Sequence, residues 1–139
     1  MAKGIEYEWV WKPGAKELRE IAGLYRAAGW LEPGDTPQRL CRMVMGSHCF
    51  LLARAGRRAV GMGRAISDRA NDAYIQDLFV AKTARGLGVG AALARRLALR
   101  LRIDGLGWIG LVAADGSWPF YAKLGFSRLK DHAPMRFGS

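Results

Sequence analysis

The stretch from residue 73 to residue 103 constrains this chain more than any other. AYIQDLFVA (73–81) is an apolar run of strand length, and Lys82-Thr83-Ala84 leads from it into Arg85-Gly86-Leu87-Gly88-Val89-Gly90. Val89, Leu93, Leu97 and Leu101 then recur every four residues, which predicts a helix over 89–103 with one buried face. A strand that feeds a glycine turn and then an amphipathic helix must lie in a sheet that the helix covers. The arrangement also holds phosphates. The first helical turn has unpaired N–H groups, and the helix dipole favours negative charge there. Gly86, Gly88 and Gly90 lack a Cβ, so a pyrophosphate can approach the backbone closely.

Two other glycine motifs do not fit. A P-loop requires Gly-Lys-Ser/Thr, and residues 85–92 hold no Lys, Ser or Thr. A dinucleotide fingerprint needs G-x-G-x-x-G at the first strand–helix turn, whereas Gly86-Leu-Gly-Val-Gly90 has another spacing and lies mid-chain.

The remaining elements follow from periodicity. Ile5, Tyr7, Trp9 and Trp11 alternate with Glu6 and Glu8, predicting a strand over 5–11 that Pro13-Gly14 ends. Leu18, Ile21, Leu24 and Tyr25 predict a helix over 15–28, stopped by Gly29. Thr36-Pro37 reads as an N-cap with Pro in the first turn of a short helix carrying Leu40, Met43 and Val44. Residues 48–54 and 58–66 are strands joined by Ala55-Gly56-Arg57. Beyond the long helix, 108–113 is a strand, 117–124 a short helix, and 126–137 should contain a last strand. The fold class expected is α/β (α+β): a mixed sheet of about six or seven strands, about four helices, and one domain over 1–139.

Composition adds limits. No apolar run approaches the ~20 residues of a membrane span, and Met1-Ala2-Lys3-Gly4-Ile5-Glu6 lacks a leader core, so a cytoplasmic protein without membrane contact is expected. Cys41 and Cys49 show no ligand or disulfide spacing and read as reduced, buried thiols; no metal site is expected. The net charge of +10 rests on 16 Arg against 6 Lys and suits anionic ligands. The helix 89–103 carries Arg95, Arg96, Arg100 and Arg102 on one face, but no aromatic-interleaved basic stripe accompanies them, so no nucleic-acid partner is expected.

Arg85-x-x-Gly88-x-Gly90, with Val80 five residues upstream, resembles the acetyl-CoA signature R/Q-x-x-G-x-G/A of the GNAT superfamily of N-acetyltransferases. Phe120-Tyr-Ala-Lys-Leu-Gly-Phe126 resembles its second signature, and a Pro frequent in the family is Lys82 here. With LYRAAGW (24–30) and GMGRAISD (61–68), the chain looks most like small single-domain bacterial members related to plastid serotonin/lysine N-acetyltransferases. The resemblance implies a GNAT fold splayed where strand 73–81 meets 107–113. It implies acetyl-CoA as co-substrate, with Leu78, Phe79 and Val80 binding pantetheine through the main chain. Arg85, Gly86, Leu87, Gly88, Val89, Gly90 and Ala91 would cradle the pyrophosphate, and Ser117 would add a cofactor contact.

The implied reaction is direct attack of a neutral amine on the thioester in a ternary complex. Tyr121 matches the family tyrosine that protonates the leaving thiolate. Many relatives place Glu or His at the positions of Gln76 or Tyr74; neither residue is a base at neutral pH, so a water chain ordered by both is expected to remove the proton. Strict alternation turns Asp77 to the opposite face unless a bulge reverses it. Trp30, Met43, Phe50, Met62, Arg64 and Trp118 are candidate lining residues for the acceptor, either a small-molecule amine or a protein lysine. Arg64 could instead meet a substrate carboxylate. A homodimer through edge strands is possible in this fold. The alternative reading is an acyl-CoA-binding sensor without turnover.

Overall fold

The computed structural model describes residues 4–138. Met1-Ala2-Lys3, included above in the search for a leader, and Ser139 lie outside the described residues. A single five-stranded sheet runs in the order β1-β2-β3-β4-β5. Its strands are β1 (Ile5–Trp9), β2 (Cys49–Ala55), β3 (Arg58–Ser67), β4 (Asp72–Val80) and β5 (Trp108–Gly110). The first four pair antiparallel with their neighbours, and β5 alone joins in parallel, along β4. The helices are α1 (Ala15–Ala27), α2 (Pro37–Gly46), α3 (Val89–Ile103) and α4 (Trp118–Ala122).

Local chemistry places the helix ends as the sequence predicts. The Thr36 hydroxyl accepts from the Arg39 N–H at 3.1 Å, with Pro37 following it. Gly29 takes φ +79°, and the Trp30 N–H returns to the Tyr25 carbonyl at 2.9 Å, closing α1.

Helices cover both faces of the sheet, so the middle strands are apolar on both sides. Phe50 and Leu52 of β2 pack with Ile21, Leu24, Leu40 and Val44 beneath α1 and α2. Cys49, Leu51 and Ala53 point the other way, to Val89, Leu93, Leu97 and Leu101 of α3. Burial pushes the Cys49 thiol up to about 11. Cys41, expected to be buried, is half-buried and lies 3.6 Å from Met45 Sδ.

The arginine face of α3 is partly spent inside the molecule. Arg96 sits over Tyr7 at 4.3 Å from the ring centroid, and Arg100 lies 5.7 Å from Trp9 and 5.6 Å from Trp11. These contacts cover Tyr7 and Trp9 of edge strand β1, and Trp11 just beyond it, with cations. They also account for two of the four arginines without a nucleic acid.

Strand content falls short of expectation at the C-terminal end. The strand foreseen over 108–113 ends at Gly110, where the Trp108 ring folds over the glycine: a Cβ there would meet it at 2.3 Å. Residues 126–138 form no strand, and the side chains of Met135 and Phe137 are fully exposed. The sheet therefore has five strands rather than six or seven.

At the far end of α3, buried His48 bridges β2, β3 and the helix. Its Nδ1 lies 2.7 Å from Ser67 Oγ and its Nε2 2.8 Å from Asp104 Oδ2, to which Arg100 Nε also donates at 3.1 Å. The hydrogen bond from His48, and then Arg100, holds the Asp104 carboxyl below the ordinary carboxylate range. A depressed carboxyl stabilises the fold above its unfolded value, about pH 4, and that contribution is lost as pH falls through the folded value. Asp104→Asn should thus lower the melting temperature at pH 7 and flatten its fall below about pH 4. Thermal melts between pH 7 and 2 read this directly; an acid limb as steep as wild type would contradict it.

Candidate active site

Strand β4 carries the site, and its irregularity shapes it. Arg64 pairs with Gln76 and Met62 with Phe79, so Gly63 alone opposes both Asp77 and Leu78. This is a β-bulge. Asp77 takes φ +56°, a left-handed conformation that Asp tolerates better than most residues. The extra residue resets the alternation. Ala73 and Ile75 face α3, and so do Leu78 and Val80, leaving two residues between them instead of one. Asp77 consequently turns toward α1, where Tyr25 donates to its Oδ2 at 2.7 Å. Strict alternation would have placed it on the opposite face.

Beyond Tyr74, β4 loses one neighbour. Its parallel pairing with β5 covers Asp72, Ala73 and Tyr74 only, so the two strands part as the resemblance implied. The Ala81 N–H donates to the Val60 carbonyl at 2.7 Å. Backbone groups alternate between the two edges of a strand, so those of Leu78 and Val80 face the open edge. The Val80 carbonyl takes a hydrogen bond from Arg85 Nε at 3.0 Å, and the Arg85 guanidinium lies 5.7 Å from the Phe79 ring.

A cleft of about 350 Å³ follows this edge to the start of α3. Leu78, Phe79, Val80, Arg85, Gly86, Gly88, Val89, Gly90 and Ala91 line it, nine of the eleven residues assigned to the cofactor from the sequence. Gly86 and Gly88 take φ +79° and +80°, which gives glycine a specific use here. The helical ladder of α3 begins with the Ala92 N–H on the Gly88 carbonyl at 3.0 Å, so the N–H groups of Val89, Gly90 and Ala91 precede it. No side chain caps this end. An anionic pyrophosphate fits such a cradle.

Two assigned residues fall outside the cleft. Leu87 sits at the outside of the turn, half exposed. Ser117 Oγ donates to the Ala114 carbonyl at 2.7 Å, closing the turn before α4. Two lining residues were missed, Ala84 and Phe120. Phe120 lay within the second signature, but only the fold brings its ring within 3.5 Å of where a Gly90 Cβ would stand.

Tyr121 follows Phe120 in the chain but does not itself line the cleft; its ring stands edge-on to Phe120 at 5.0 Å and to Phe126 at 5.9 Å. Burial raises its phenol above the ordinary value, so it holds its proton at neutral pH. Gln76 is exposed opposite Arg64, and Tyr74 packs on Trp108 at 5.0 Å. Of the acceptor candidates, Trp30 is exposed and meets Phe79 edge-on at 5.9 Å. Met43 packs at the margin of the α1/α2 core, and Trp118 is exposed beneath Arg128. Phe50 and Met62 are fully buried and line nothing, because both point into the α1/α2 core. Arg64 is committed to Asp77, donating through Nε at 2.7 Å, and to Ser47 through Nη1 at 3.3 Å.

The model of the acetyltransferase (GNAT) family matches residues 15–126, which take in the glycine turn, the β4 edge and the Tyr121 helix. The chain belongs to this family. As a GNAT protein it is an acetyltransferase, and acetyl-CoA is the co-substrate its family implies. It is similar to an uncharacterized N-acetyltransferase of Pyropia yezoensis, 26% identical over 134 residues that cover 91% of this chain and 75% of the relative. A 70-residue stretch is 37% identical to a chloroplastic serotonin N-acetyltransferase of Oryza sativa subsp. japonica, covering 50% of this chain and 35% of that one. A GNAT family protein of Streptococcus pneumoniae TIGR4 shares the fold, with a TM-score of 0.79, 24% identity and 96% of both chains covered. Among the described residues no helix is long and apolar enough to cross a membrane, and no cluster of His, Cys, Asp or Glu could hold a metal ion.

The bulge of this GNAT domain depends on Gly63. A Cβ there would stand 2.8 Å from Leu97 Cδ1 and 2.9 Å from Leu78 Cδ1, so one or both leucines must shift, and Leu97 is fully buried. Gly63→Ala should cost about 1–3 kcal/mol of stability, read by urea denaturation. A loss within error of zero would mean that β4 can move aside.

Proposed function

We propose that this GNAT protein transfers acetyl from acetyl-CoA to a primary amine by direct attack in a ternary complex. The observation that carries the reading is the continuity of the β4 open edge with the cradle at the start of α3. One cleft thereby offers main-chain hydrogen bonds to an extended arm and a positive helix end to a pyrophosphate. The main chain of Leu78 and Val80 takes the pantetheine, with Phe79 lining the cleft between them, and Arg85, Gly86, Gly88, Val89, Gly90 and Ala91 take the phosphates. Leu87 supports the turn from outside, and Ser117 acts indirectly by setting the start of α4.

The amine nitrogen forms its bond to the thioester carbonyl carbon as the C–S bond breaks. The Leu78 N–H stabilises the developing oxyanion. Tyr121 gives its proton to the departing thiolate and recovers one, through water, from the ammonium formed at the amine. Gln76 and Tyr74 order that water, and no carboxylate or imidazole base is invoked. The overall balance is amine plus acetyl-CoA to amide plus free thiol.

The acceptor side favours an amine without a carboxylate. Arg64 is held by Asp77 and Ser47, so it is not free to pair with a substrate anion. Trp30, Tyr74 and Trp108 instead offer uncharged aromatic surface, which suits an arylalkylamine, a polyamine or a lysine side chain. The relative from Oryza sativa, named for serotonin, is consistent with the first of these. The proposed setting is the cytoplasm.

Calorimetry with acetyl-CoA, followed by thiol release across arylalkylamines, polyamines, amino acids and lysine peptides, tests the reading. Binding with turnover is expected. Tyr121→Phe should lower kcat by about 10²-fold or more while acetyl-CoA affinity stays near wild type. Binding without turnover on any amine would favour the sensor reading, to which Gln76 lends weight because it cannot accept a proton. Absence of binding would overturn the proposal.

A further inference from the structure

The group that most needs a reason is Asp77. It stands in a left-handed conformation at the bulge, with Leu78 next in the chain, and its Oδ2 accepts two short hydrogen bonds. One comes from Tyr25 of α1 and one from Arg64 of β3, each 2.7 Å long. Side-chain exposure is only 24% for Asp77 and 13% for Arg64. The network continues outward: Arg64 Nη1 donates to Ser47 Oγ at 3.3 Å, and Ser47 Oγ donates to the Met43 carbonyl at 2.6 Å at the end of α2. One carboxylate therefore joins the helices of the acceptor side to the strand of the cofactor side.

Stability alone does not explain this arrangement. A part-buried ion pair seldom outperforms apolar side chains of the same volume, because both charges lose their water. The left-handed turn alone would be met more simply by glycine. A doubly anchored carboxylate supplies direction, since two donors from separate elements hold one oxygen and with it the backbone of Asp77. The next peptide carries the Leu78 N–H, which faces the open edge.

We propose that Asp77 is a positioning residue for acetyl transfer: anchored by Tyr25 and Arg64, it fixes the bulge so that the Leu78 N–H points at the thioester carbonyl. The inference rests on the reading of the cleft as an acetyl-CoA site. Asp77 touches neither substrate; it acts through the amide beside it. Tyr25 and Arg64 are its supports.

The Leu78 amide itself can report this. In wild-type protein labelled with ¹⁵N, its amide proton should resonate at different positions in the acetyl-CoA and CoA complexes, because only the former offers a carbonyl. Asp77→Ala should abolish that difference and lower kcat about 10- to 100-fold, with KM for acetyl-CoA within about threefold of wild type. Asp77→Asn, which tolerates the left-handed conformation and keeps an acceptor oxygen, should restore most of both signals. Asp77→Gly, which relieves the backbone but has no side chain, should restore neither.

A difference that persists in Asp77→Ala, or wild-type kcat in that variant, would overturn the proposal and leave the cleft reading intact. Rescue by Asp77→Gly would overturn it too, reducing the role to backbone conformation. Loss of acetyl-CoA binding together with thermal stability in Asp77→Ala would do the same, because the residue would then be structural. If the wild-type chain bound no acetyl-CoA, the cleft reading and this inference would fall together.

Discussion

Strand β4 has hydrogen-bonded neighbours on both sides at its start and on one side at its end. From Asp72 to Tyr74 it lies between β3 and β5; beyond that only β3 remains. Unpaired strand edges are normally covered or blunted, because they pair with whatever extended chain is near. Here the free edge lies inside the fold, walled by Phe120 and the glycine turn, where an extended ligand can use it without recruiting another protein. The cleft, the direction of the Leu78 and Val80 backbone groups toward it, and its continuity with α3 all depend on this one divergence.

The bulge makes the divergence useful. Without it, Asp77 would point into the α3 layer, where a carboxylate would meet Leu93, Leu97 and Leu101. With it, Leu78 and Val80 take the apolar side, and Asp77 meets two donors on the α1 side. Gly63 is the complementary concession on β3, since a side chain there would collide with Leu78, which the bulge brings in, and with Leu97 of α3. The polar anchor, the inward leucine and the missing Cβ are three parts of one local solution.

Charge is distributed with similar economy. Arg96 and Arg100 lie over β1 aromatics, Arg54 is held by Glu20 at 2.8 Å, and Arg64 by Asp77. The count of 22 Lys and Arg therefore overstates the cations free to meet a polyanion. Arg85 is different: it reaches back to the Val80 carbonyl at the cleft edge, on the strand that the cofactor arm would follow.

Most of the cleft was legible in the sequence because its parts are local. The glycine turn, the start of α3 and the end of β4 are contiguous, and positive φ, orphan N–H groups and fourfold spacing leave traces within a few residues. The same locality made the helix caps at Thr36 and Gly29 readable. What involved distant residues was not. Asp77 reverses face because of a one-residue register shift against β3, and its partners lie 52 and 13 positions away. The short β5, the unformed strand after 126 and the burial of Phe50 and Met62 depend on neighbours that periodicity does not name. Sequence alone determined which segment forms the glycine turn and the uncapped start of α3, because backbone conformation is a near-neighbour property. Only the tertiary structure decided which way the strand beside it faces, because side-chain direction in a sheet is set by pairing.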